Sequence, residues 1–215
     1  MIKNASLENK NVLITGGAGF IGSELTKQVL SHGAKVSVVD NLVNGKKSNL
    51  DLDDKNLMFY EEDIRNQQVM QNLISKSDYV FNLACLGVRH SIHSPIESHS
   101  VNADATLNLL KMSKETDIKK FVHISTSEVY GTAKYVPMTE EHPTAPHTVY
   151  GASKLAGEAY ARAYSKSLNT NTVVIRPFNS YGYNSHHEGD SGEVIPKFII
   201  RALTGNPLYI FGDGE

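Results

Sequence analysis

The chain has 215 residues, 40% of them hydrophobic and 20% charged, enough for one large buried core or one core plus part of a second. A net charge of −2 supplies no basic stripe for nucleic acid or an anionic lipid surface, so any phosphate must be held by a local device. The opening MIKNASLENK lacks a signal-peptide core, no run approaches the roughly 18 apolar residues of a membrane span, and the single cysteine, Cys85, allows no internal disulfide; these features predict a cytoplasmic protein.

Short apolar, β-branched runs alternate with segments of helical period. The strand NVLIT (11–15) leads through TGGAGFIG into a helix over 20–32. Strands at 35–40 and 57–61 follow, then a helix at 66–76, a strand at 79–84, an irregular stretch at 85–97 and a helix over roughly 98–115. Beyond them come a strand at 120–125, an irregular segment at 131–149, a helix at 150–168, a strand at 171–176, an irregular segment at 179–193 and a helix at 194–204. Strands that are hydrophobic throughout, in βαβα order, predict a parallel, doubly wound α/β sheet of Rossmann type with helices on both faces. The last residues, NPLYIFGDGE, read as a strand entering a turn that connects to nothing, so the chain reads as cut short.

The first βα turn carries Gly16, Gly19 and Gly22 at three-residue intervals. Such a turn needs glycine where φ is positive and where backbone must approach a pyrophosphate, and the helix amides and dipole then hold the anion. Asp40 lies 24 residues beyond Gly16, at the end of the second strand, where it is placed to accept from both hydroxyls of an adenosine ribose. Its charge, with the neutral Asn41 beside it, repels a 2′-phosphate and selects NAD over NADP. Asp63 follows the third strand, either to meet the adenine amino group or as a helix N-cap, and the small Ala84 ends the fourth, either to admit the cofactor or to pack.

Tyr150 and Lys154, four apart at the start of a helix, project from one face. A phenol is a poor base at neutral pH, and a neighbouring ammonium is expected to lower its pKa and make it a usable proton acceptor for an alcohol losing hydride. Ser125, Thr126 and Ser127 follow a strand that should end beside the nicotinamide, and a hydroxyl there would share the proton; an ordinary Ser/Thr turn is the plainer reading. His90, His93 and His99, and His186, His187, Glu188 and Asp190, lack metal-site spacing, so no metal is expected. Cys85 reads as a packing residue and Asn102 as a structural one within its helix.

TGGAGFIG, STSEVYG, YGASK and RPFNSYG, in this order, resemble the extended short-chain dehydrogenase/reductases, specifically the NAD-dependent nucleotide-sugar epimerase/dehydratase group, and the resemblance runs from Asn11 to the last residue. It implies Tyr150 as base, Lys154 as its modulator and a ribose ligand, Thr126 as the assisting hydroxyl, and Glu128 as a catalytic-site residue shared with dehydratases whose role the resemblance leaves open. It places Gly16, Gly19, Phe20, Ile21, Gly22, Asp40, Asn41, Asp63, Ile64, Leu83 and Ala84 around NAD, and Arg89, Ser127 and Asn179 around a UDP- or dTDP-sugar. It also implies a cofactor domain over 1–178, the start of an incomplete substrate-binding part over 179–215, and a homodimer through the helices at 98–115 and 150–168. The activity implied is oxidation of the sugar at C4, with UDP-sugar 4-epimerisation foremost. A 4,6-dehydratase would carry Asp where this chain has Ser127, and a UDP-glucuronate decarboxylase would need an Arg just after Asn179 that SYGYNSHH lacks. A dinucleotide-binding protein without catalysis is the alternative of another class.

Overall fold

The computed structural model describes residues 6–189, 192–210 and 212–213. Six strands, β1 (Asn11–Thr15), β2 (Lys35–Asp40), β3 (Leu57–Glu61), β4 (Tyr79–Asn82), β5 (Lys120–Ile124) and β6 (Thr172–Ile175), form one sheet in the order β3-β2-β1-β4-β5-β6. Every pair is parallel, as the apolar runs predict. The helices are α1 (Phe20–Ser31), α2 (Gln67–Ile74), α3 (Val88–His93), α4 (Pro95–His99), α5 (Thr106–Lys114), α6 (Val149–Leu168) and α7 (Val194–Leu203), with a wider π-type turn over Ser100–Ala105 joining α4 to α5.

Successive strand residues point to opposite faces, so β1 to β4 each feed two cores. Leu13, Val39, Val80 and Phe121 pack with Met70 and Ile74 of α2, Leu109 and Leu110 of α5 and Ala161 of α6. Val12, Ile14, Val36 and Val38 pack on the other face with Val29 and Leu25 of α1. That second cover stops short of β6, where Val173 and Ile175 are exposed, and α7 buries none of its residues. The expectation of helices on both faces therefore holds for the centre of the sheet and fails at its β6 edge.

Two further expectations are corrected. The stretch 85–97 is not irregular, because it contains α3 and the start of α4, each under two turns long; Pro95 opens α4 at a position where its missing N–H costs nothing. Residues 206–210, read as a strand, pair with no strand among the described residues and so form no ladder. Gly212 and Asp213 do form a turn, while Phe211, Gly214 and Glu215 lie outside the described residues.

β1 has β2 on one side and β4 on the other, and the connections leaving β1 and β4 diverge. The crevice beyond their carboxyl ends is the switch point at which open α/β sheets take ligands.

Candidate active site

The glycine turn closes this crevice. Gly16 has φ +70°, a conformation that side chains resist, and a Cβ there would lie 2.7 Å from the amide nitrogen of Ala84. A Cβ on Gly22 would lie 2.1 Å from the carbonyl oxygen of Gly16. Backbone thus occupies the space that side chains would fill. Gly19 caps α1 with no side chain accepting from the first-turn amides, which leaves them to a bound anion. Phe20 is half-buried and Ile21 exposed at this end of the helix, with Leu83 and Ala84 half-buried opposite. A cradle of small residues at an uncapped helix N-terminus fits a dinucleotide pyrophosphate.

Asp40 is buried at the end of β2, and its carboxylate already accepts from the Ala18 amide at 3.0 Å and the Leu42 amide at 2.8 Å. Each oxygen keeps a second lone pair for a ribose hydroxyl, so the residue also fastens the glycine turn. Asn41 donates to Asp63 at 3.1 Å, and Arg65 grips Asp63 with Nε at 2.9 Å and Nη2 at 2.7 Å. The hydrogen bonds and charge of Arg65 hold the Asp63 carboxyl below its ordinary range despite partial burial. Asp63 is not the N-cap of α2; Asn66 is, accepting from Val69. Ile64 is buried beside it.

Tyr150, Lys154 and Glu158 recur every four residues along one face of α6, whose start is fixed by Thr148 accepting from the Gly151 amide at 2.9 Å. The Tyr150 phenol is half-buried in hydrogen-bonding contact with Thr126, the hydroxyl the sequence singles out, and with Cys85. Lys154 is buried and donates to the carbonyl of Ile124 at 2.5 Å. Burial pushes the phenol pKa up, as do the charges of Cys85 and Glu128, and only the Thr126 hydrogen bond opposes them. The expected lowering by Lys154 is therefore reversed in the protein alone, because desolvation dominates and the ammonium is spent on Ile124. Burial likewise pushes the Lys154 pKa down, against the charges of Cys85 and Glu158. Cys85, expected to pack rather than react, is half-buried with its thiol against the phenol. Glu128, Arg89 and Asn179 are exposed at the rim, while Ser127 is half-buried.

Beneath these groups runs a buried polar chain that sequence reasoning missed. Thr15 donates to Asn82 at 2.8 Å; the Asn82 amide reaches Thr106 at 3.1 Å and His123 Nδ1 at 3.3 Å. Asn102, read as structural, both accepts from and donates to the backbone of Leu86, at 2.9 and 3.0 Å, and donates to Ser153 at 3.0 Å. Asn82 sits in an otherwise apolar strand, and that anomaly was the available signal. His90 pairs with Glu97 at 2.9 Å and His99 with Asp104 at 3.5 Å, while Lys46 takes Glu188 at 2.9 Å. Among the described residues no three His, Cys, Asp or Glu side chains form a group able to hold a metal, and Asp190 lies outside them.

A parallel sheet with a glycine cradle at its switch point and a Tyr–Lys helix beside it defines a dinucleotide-binding protein of the Rossmann type. The model of the NAD dependent epimerase/dehydratase family matches residues 12–215, and this chain belongs to that family. It is similar to a putative UDP-glucose 4-epimerase of Methanocaldococcus jannaschii, with 34% identity over 95% of this chain and 67% of that protein. Its structure resembles that of a UDP-N-acetylglucosamine 4-epimerase of Methanobrevibacter ruminantium (TM-score 0.92, 36% identity, 97% of this chain and 67% of the other). It also resembles a dTDP-glucose 4,6-dehydratase of Streptomyces venezuelae solved with NAD (TM-score 0.86, 33% identity, 95% and 65%). The chain thus spans about two thirds of the length of these relatives. The expected fold, family and NAD dependence agree with these matches. Among the described residues no helix is long and apolar enough to cross a membrane.

Proposed function

We propose that this chain binds NAD and, with it, oxidises a nucleotide sugar at C4, as a UDP-sugar 4-epimerase. The observation that carries the reading is the hydrogen-bonding contact of Tyr150 with Thr126 just past the carboxyl end of β5, to which the buried ammonium of Lys154 fastens α6. Gly16, Gly19, Phe20, Ile21 and Gly22 would hold the pyrophosphate, Asp40 and Asn41 the adenosine ribose, Asp63 and Ile64 the adenine, and Leu83 and Ala84 the face against the sheet. Bound NAD supplies the hydride acceptor. Tyr150 takes the proton of the sugar 4-hydroxyl, the Thr126 hydroxyl shares it, and Lys154, which fastens α6 to β5, serves as a ligand to the cofactor ribose. Arg89, Ser127 and Asn179 face the nucleotide sugar from the rim. Returning hydride to the opposite face of the 4-keto sugar inverts C4.

Residues 1–178 form the cofactor part and 179–215 begin the substrate part. A homodimer through the helices at 98–115 and 150–168 follows from the family; within those bounds Leu168 alone is an exposed large apolar side chain among the described residues, with Ile96 and Val149 just outside them.

A dehydratase reading draws on Glu128, which dehydratases share and whose charge acts on the phenol, and is weakened by Ser127 standing where they carry the Asp that expels water. A panel of UDP- and dTDP-sugars resolved by chromatography separates the readings. A C4 epimer supports the proposal, a 4-keto-6-deoxy product selects the dehydratase, and binding of NAD with no conversion of any sugar selects the non-catalytic alternative.

A further inference from the structure

Glu158, whose charge acts on Lys154, and Arg176 form the most buried ion pair among the described residues, with the carboxylate 2% and the guanidinium 12% exposed. Arg176 Nε donates to Glu158 Oε2 at 2.9 Å, and its Nη2 closes the fork on Oε1. Arg162 adds a second contact to Oε1 at 2.9 Å. The remaining amino group of Arg176 donates to the carbonyl of Glu140 at 3.2 Å, and the guanidinium lies over the Tyr130 ring at 4.6 Å from its centroid. One planar group therefore joins α6, the segment between Tyr130 and Glu140, and the exit from β6.

What leaves β6 is Arg176-Pro177-Phe178-Asn179. Pro177 accepts from the Ser127 amide at 3.0 Å, which ties this exit to the Thr126 segment, and Phe178 packs at 6.0 Å from Tyr130. Phe178 itself is 55% exposed and Asn179 is exposed, so little else buries this stretch. A bidentate guanidinium fixes direction as well as distance, which a lysine ammonium would not. We infer that the Glu158–Arg176 fork is a positioning pair that sets where Phe178 and Asn179 meet a nucleotide sugar. It rests on the proposed reading for the identity of that ligand. The fork acts by position: it determines affinity for the nucleotide sugar by fixing the segment that contacts it, more than the rate of proton transfer at Tyr150.

The test uses Arg176→Lys, Arg176→Met and Glu158→Gln in the full chain. Three readouts are taken: hydrogen–deuterium exchange over 177–182, thermal unfolding, and steady-state kinetics with UDP-glucose. The inference expects KM to rise about 10-fold in Arg176→Lys and further in Arg176→Met, with kcat within about 3-fold of wild type. Exchange over 177–182 should quicken in all three variants while retained NAD stays unchanged. Arg176→Lys, which keeps the charge, retains folding if Arg176→Met does not. Unchanged exchange in a folded Arg176→Lys protein overturns the inference, as does a loss confined to kcat. If wild type converts no nucleotide sugar, the proposed reading fails while the exchange measurement still decides whether the fork orders this segment.

Discussion

The buried ammonium of Lys154 donates to the carbonyl of Ile124 at 2.5 Å, so the helix carrying Tyr150 is fastened to β5 one residue before the hydroxyls Ser125, Thr126 and Ser127 begin. This bond fixes the distance between the phenol and its Thr126 partner. Replacing Lys154 by Met leaves that carbonyl without its donor and should cost about 1–3 kcal/mol of stability, read by urea unfolding, along with most of the turnover. A Lys154→Met protein as stable as wild type would show that the bond contributes nothing.

Thr126 is the single group that draws the Tyr150 phenol down against burial, and its oxygen also accepts from the Glu128 amide at 3.2 Å. A base that must ionise works better as pH rises toward its pKa. Thr126→Val raises that pKa further, so turnover at neutral pH should fall roughly 10- to 100-fold and the rising limb of the pH profile should move to higher pH. Thr126→Ser, which keeps the hydroxyl, should restore most of both. An unshifted profile in the valine variant removes Thr126 from the proton path.

The glycine cradle predicts sharply unequal costs of adding one methyl group. A Cβ at Gly22 collides with the Gly16 carbonyl oxygen at 2.1 Å, whereas one at Gly87 meets nothing within 4 Å. Gly22→Ala should lose NAD binding and at least about 2 kcal/mol of stability, while Gly87→Ala stays within about 0.5 kcal/mol of wild type. Differential scanning calorimetry with and without NAD reads both effects.

His123 is fully buried on β5, accepts from Asn82, and leaves Nε2 without a partner. Burial, then the charge of Lys154, holds its pKa well below the ordinary histidine value. The unfolded chain therefore takes up this proton first. The neutral imidazole's contribution is complete above about pH 6.5 and declines below it, by about 1.4 kcal/mol per pH unit. Urea midpoints measured at about pH 5.5 and 7.5 should differ less in His123→Gln than in wild type.

Periodic burial and turn chemistry are local, which is why all six strands and the glycine turn could be read from sequence. α3 and α4 could not, because each is too short to show a period and is held by contacts such as Ser91 Oγ with Val88 and His90 with Glu97. The Glu158–Arg176 fork joins positions 18 apart on different elements, so no spacing rule announces it. The phenol environment is hidden from sequence for a related reason: a four-residue spacing puts Lys154 and Tyr150 on one helix face, but desolvation depends on everything packed around the pair. Asn82 was legible in principle, as a carboxamide inside an apolar strand that needs partners on neighbouring elements.

Proton transfer at Tyr150 is the step on which the proposed activity depends. NAD-loaded wild type and Tyr150→Phe should be mixed with the converted nucleotide sugar while the absorbance of reduced nicotinamide and the sugar products are followed. Wild type should convert the sugar, and Tyr150→Phe should lose about 100-fold or more of that rate with NAD still bound. Equal turnover by the two proteins would contradict proton transfer at Tyr150.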